Sequence, residues 1–69
     1  MIADELRKTA GAIGFYGHLI DDNAPVLAAL IEHGDRWKDR AASKADWVRE
    51  FCVQLDKQTA KLKELLNQI

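Results

Sequence analysis

Sixty-nine residues, 48% of them hydrophobic and with a formal net charge of −1, make at most one small domain. They give no chain-wide attraction to nucleic acid or an anionic membrane. The apolar fraction excludes a disordered chain, and the single cysteine, Cys52, excludes an intrachain disulfide and a cysteine-rich zinc site.

A lone cysteine points to a reducing compartment. No unbroken apolar run approaches the roughly 20 residues of a membrane-spanning helix. Met1-Ile2-Ala3-Asp4-Glu5 lacks the basic and then apolar segments of a secretory signal. The expected location is cytoplasmic. Ala, Leu, Lys, Glu and Asp dominate while β-branched and aromatic residues are sparse, which predicts an all-α protein.

Residues 2–21 read as the first helix. Asp4 and Glu5 suit the positive end of its dipole, and Ile2, Leu6, Ile13, Tyr16 and Ile20 form an apolar stripe. Asp21-Asp22-Asn23-Ala24-Pro25 then permits two readings. In one, Asp22 or Asn23 caps a new helix over Val26–His33, with Pro25 in its first turn and Gly34 just past its end. In the other, Leu27 and Leu30 keep the phase of the first stripe, and one Pro-kinked helix runs over 2–33. Residues 35–42 are a charged connector or an extension of either neighbouring helix.

Residues 44–69 give the clearest helix, with Ser43 and Asp46 spaced as a capping box. Its positions can be labelled a to g in a seven-residue repeat with Val48 at a. Ala41, Val48, Leu55, Leu62 and Ile69 then share a, and Phe51 and Leu65 share d, with the polar Gln58 interrupting the seam at d. The predicted architecture is a single domain over 1–69. It is a helical hairpin or three-helix unit with its long first and last helices antiparallel, completed as a helical-bundle homodimer. The packing and dimer residues are Gly14, Gly17, Val48, Phe51, Leu55, Leu62 and Leu65.

Gly11, Gly14 and Gly17 lie inside the first helix, where each costs about 0.8–1 kcal/mol relative to alanine. With Leu6 at a, the e positions of the first helix are Ala3, Ala10, Gly17 and Ala24; those of the last are Ala45, Cys52 and Thr59. These matching small flanks predict a close approach of the two helices along that line, with Cys52 as a small packed hydrophobe. Gly11 and Gly14 lie off the line; they receive a bulky side chain from another subunit, leave room for a partner, or give the helix local flexibility.

Catalytic and metal-binding patterns are thin. His18, Asp21 and Asp22 place one imidazole near two carboxylates, short of the three or four ligands a transition metal needs. Cys52 has no histidine near it in sequence to activate a thiolate. No phosphate loop, dinucleotide fingerprint or nucleophile elbow occurs. No cofactor and no enzyme activity are expected.

The densest functional signal is Arg36, Trp37, Lys38, Arg40, Lys44, Trp47 and Arg49, which includes both tryptophans. Trp and Arg are the commonest anchors of protein–protein hot spots, so Arg36, Trp37, Lys38, Arg40, Trp47 and Arg49 are the candidate partner-binding residues. The structural alternative has Trp47 covering the core edge and Trp37 plugging the hairpin end. The same segment, 36–49, would serve a small nucleic-acid-binding regulator by stacking on bases, although Asp35, Asp39 and Asp46 dilute its charge. A helix-turn-helix over Val26–Phe51 is disfavoured by its overlong turn and frequent acids.

In architecture the pattern is similar to short helical-hairpin dimers such as the small plasmid copy-control RNA-binding proteins. The resemblance implies a dimeric bundle and carries over no functional residue. The functional expectation is a non-enzymatic module, such as a regulator, inhibitor or adaptor of bacterial or phage type, that binds a partner protein as a homodimer.

Overall fold

A computed structural model describes residues 1–69, and in it two long helices account for nearly the whole chain. Helix α1 runs Ile2–Glu32 and helix α2 runs Lys38–Asn67, joined by a one-turn 3-10 helix at Asp35–Trp37. The reversal pivots on Gly34, whose φ of +84° is open to glycine but strained for other residues. The helices pack antiparallel as a hairpin. No helix is long and apolar enough to cross a membrane.

The seam follows the seven-residue repeat on both helices. On α1 it is Leu6, Thr9, Ile13, Tyr16, Ile20, Asn23, Leu27 and Leu30; on α2 it is Ala41, Lys44, Val48, Phe51, Leu55, Gln58, Leu62 and Leu65, all half-buried or buried. Spacings of three and four keep each set on one stripe. The packing residues Val48, Phe51, Leu55, Leu62 and Leu65 therefore lie along the intrachain seam.

Residues 2–33 do not divide into two helices: α1 continues through Pro25. Continuation keeps Leu27 and Leu30 on the seam, whereas a break at Pro25 would turn them off it. Asn23 reinforces this point, its side-chain amide donating to the Leu19 carbonyl at 2.7 Å while its own oxygen accepts from Lys44 Nζ at 3.0 Å. That second bond ties α1 to α2. Ser43 does not cap α2 and lies within it; the helix starts at Lys38, with no side-chain capping bond. Residues 38–42 (Lys-Asp-Arg-Ala-Ala) contain strong helix formers, and Ala41 extends the seam, so the connector is absorbed into α2.

The small flank also departs from expectation. A Cβ added at Gly11, Gly14 or Gly17 would meet nothing within 4 Å. Gly17 therefore does not serve close contact between α1 and α2, and Cys52 is exposed rather than packed. The seam centres on a and d, and the e flanks border it on one side, half-buried at Gly17, Ala24, Ala45 and Thr59 and exposed at Ala10, Ile31, Cys52 and Leu66.

The rod is long and thin, with Cα extents of 51 × 14 × 12 Å and a radius of gyration of 15.7 Å, against about 11 Å for a compact domain of this length. A two-layer rod hides little, and only Thr9 and Leu65 are buried.

Thr9 is the one buried polar residue, and its hydroxyl has no hydrogen-bond partner. An unmade hydrogen bond at a buried hydroxyl costs about 1–3 kcal/mol. Thr9→Val keeps the shape and removes the orphan oxygen, so it is expected to stabilise the hairpin by about 1 kcal/mol. Thermal unfolding followed by circular dichroism at fixed concentration checks this; an unchanged or lower midpoint contradicts it.

Candidate partner-binding surface

The closed end of the hairpin gathers part of the basic and aromatic cluster. Gly34 turns the chain, and its carbonyl accepts the Trp37 N–H at 3.1 Å, closing the 3-10 turn. This places Trp37 at the tip, half-buried, with the Arg36 and Arg40 guanidinium carbons 5.7 and 5.1 Å from its ring centroid. Cation–π contacts of this kind contribute about 0.5–1 kcal/mol each when exposed. They hold two charged side chains against a flat aromatic surface at the tip.

On one side of the seam, a cleft of about 530 Å³ opens between the helices. Val26 and Leu30 of α1 give it an apolar wall, and Asp39, Arg40, Ser43, Lys44 and Trp47 of α2 complete it. Trp47 is 61% exposed and leans on Phe51, with ring centroids 6.0 Å apart. The ring thus covers the seam edge on one side and offers its other surface to the cleft. On the other side of the seam is a smaller hollow of about 210 Å³, lined by Leu30, Ile31, Gly34, Asp35, Lys38 and Ala41.

The six candidate residues are therefore divided. Arg36, Trp37 and Arg40 come together at the tip, and Arg40 continues into the cleft with Trp47. Lys38 borders the smaller hollow. Arg49 lies apart: two residues beyond Trp47 is about 200° around a helix, and its guanidinium pairs with Asp46 at 2.8 Å. Val26 and Leu30 were not in the sequence-derived site. An apolar Val26 off the seam stripe was the available signal, but placing it opposite Trp47 needs the pairing of the two helices.

Elsewhere, polar side chains pair along single helices at exposed positions. His18 Nε2 lies 3.2 Å from Asp22, and Arg7 lies 3.2 Å from Asp4. No three His, Cys, Asp or Glu side chains converge in a metal-binding group.

The fold defines an all-α helical hairpin with a basic and aromatic closed end. Comparison of the chain with protein-family models, curated proteins and solved structures finds no match. The geometry of the hairpin carries the functional reading.

Proposed function

We propose that this protein is a non-catalytic interaction module that pairs with a second copy of itself and presents its closed end to a partner protein. The observation that carries the reading is surface area. The chain exposes 5298 Å², whereas a compact body of its mass would expose about 4,400 Å². A compact pair of chains would expose about 7,200 Å², so each copy could cover up to roughly 1,700 Å² on assembly. That exceeds the roughly 800 Å² per partner of a standard stable interface.

Exposed large apolar side chains point the same way, with Ile31 64% and Leu66 53% exposed. At the tip, Arg36, Trp37 and Arg40 are the residue types that anchor protein interfaces. A nucleic-acid role through 36–49 has less support. Asp39 shares the cleft with Arg40 and Lys44, Asp35 shares the hollow with Lys38, and Asp46 neutralises Arg49. No continuous positive face results.

Light scattering at micromolar concentration is expected to give twice the chain mass of 7.8 kDa. A strictly monomeric species would overturn the pairing. Capture from the source organism is expected to retain a protein on the wild type that an Arg36→Ala, Trp37→Ala, Arg40→Ala variant of unchanged helicity and mass releases. Equal retention by both would remove the closed end from the function.

A further inference from the structure

The pairing proposed above leaves open which side of the rod meets the second copy. The two sides differ in chemistry. The cleft side carries Asp39, Arg40 and Lys44 beside Val26 and Trp47. The other side carries the e flanks of both helices, and Ile31 and Lys38, one from each flank, border the same hollow. Seven-residue steps from those two residues give Ala24, Gly17 and Ala10 on α1, and Ala45, Cys52 and Thr59 on α2. All six are small and uncharged. Two large apolar residues finish the flanks at opposite ends of the rod, Ile31 beside the turn and Leu66 near the open end. Lys38 is the only charged residue on either line.

We infer that the second copy docks on this smooth face, antiparallel, with α1 against α1 and α2 against α2. This assignment rests on the homodimer reading and sharpens it. Gly17 is the middle residue of α1 (Ile2–Glu32), and Cys52 is at the middle of α2 (Lys38–Asn67). A two-fold axis across the middle of the rod therefore brings each against its own counterpart.

The remaining positions then match in size. Ile31 falls over Ala3 of the second copy, and Leu66 falls over the aliphatic stem of Lys38 of the second copy. Small residues between them allow the backbones to approach closely. The interior glycine at 17, unfavourable to the helix alone, gains a purpose that α2 of its own chain does not supply.

Charge supports the antiparallel direction. Arg49 and Asp56 flank Cys52 at three residues before and four after, on the edge of the smooth face. Antiparallel α2 helices set Arg49 opposite Asp56 of the second copy, twice by symmetry. The Asp56 carboxylate forms no ion pair within the chain, and the Arg49–Asp46 pair is highly exposed and free to exchange. The parallel alternative, with α1 against α2 of the second copy, would set Arg49 against Asp21 but also Lys63 against Arg7 of the second copy, so its attraction and repulsion cancel.

The test combines mass with cross-linking. Wild-type protein treated with a short bismaleimide is expected to cross-link through Cys52 in high yield. Gly17→Leu is expected to remain helical, because its new side chain meets open space in the single hairpin, and to weaken dimerisation at least 100-fold. Val26→Glu, on the cleft side, is expected to leave the dimer intact.

Arg49→Asp is expected to weaken the dimer and Arg49→Asp with Asp56→Arg to restore it, which keeps the test decisive should Gly17→Leu lose helicity. A wild-type monomer overturns the homodimer reading itself. A wild-type dimer that Val26→Glu dissociates and Gly17→Leu does not overturns only the choice of face. A dimer dissociated by Gly17→Leu, but with no Cys52 cross-link and no rescue by the charge exchange, overturns the antiparallel direction.

Discussion

Leu65→Ala is expected to remove a large fraction of the stability of the protein. Leu65 is 4% exposed and is the only buried apolar side chain. It belongs to the d line of α2 that closes the seam towards the open end of the hairpin. Truncating a buried leucine to alanine costs about 2–5 kcal/mol, because transfer free energy is lost and the space refills only in part. Folded domains hold about 0.05–0.15 kcal/mol per residue, so the loss ranges from a substantial fraction to nearly all of the stability here.

At fixed protein concentration, the thermal midpoint is expected to fall by at least about 10 °C. Val53→Ala is the appropriate comparison. Val53 is 42% exposed on the outer side of α2, and alanine is the better helix former, so its midpoint is expected to change little or rise. Equal losses from both variants would mean that α2 is not held by its a and d line, and the hairpin packing would be wrong.

The seam was readable before the structure because helical periodicity is local information. Val48, Phe51, Leu55, Leu62 and Leu65 recur every three to four residues, and such a stripe must face something apolar. The turn at Gly34 was readable for the same reason, since only glycine readily takes the positive φ that ends α1. What could not be read depends on the partner helix. Whether α1 stops at Pro25 turns on the value of keeping Leu27 and Leu30 on α2, weighed against one lost hydrogen bond. Ser43 has the chemistry of a cap, but Ala41 gives the helix a reason to begin earlier.

The site was partly legible for a related reason. Arg36, Trp37 and Arg40 are close in sequence and remain close in space. Trp47 and Arg49 are also close in sequence, but the helix turns them apart. The matching small flanks of Gly17 and Cys52 were visible in the repeat, yet sequence alone assigned them to the wrong contact. Antiparallel packing on a and d places both flanks on one outer side, which is a property of the pair of helices and of neither one alone.

Pro25→Ala is expected to stabilise the protein. Proline in a helix interior is less favourable than alanine by about 3 kcal/mol, since it lacks an N–H and its ring presses on the carbonyl four residues earlier. Here that carbonyl belongs to Asp21, and Pro25 and Asp21 are both exposed. Water therefore offsets part of the missing bond at present, and alanine sacrifices no buried contact. Some of the gain is lost because alanine leaves the unfolded chain freer than proline does. A net gain of about 1–2 kcal/mol remains, read as a midpoint higher by roughly 4–16 °C.

The result separates the two ways of building this segment. In a continuous α1, the substituted alanine donates its N–H to the Asp21 carbonyl and extends amide protection through residues 22–29. In a chain that began a new helix at Asp22 or Asn23, Pro25 would occupy a favourable first-turn position and its replacement would destabilise. Hydrogen exchange on the wild type and the variant, with the thermal midpoint, therefore tests the continuity of α1 directly. A lowered midpoint, with no protection of the new amide at the substituted position, would show that α1 breaks there, and Leu27 and Leu30 would then need a different reason to lie on the seam.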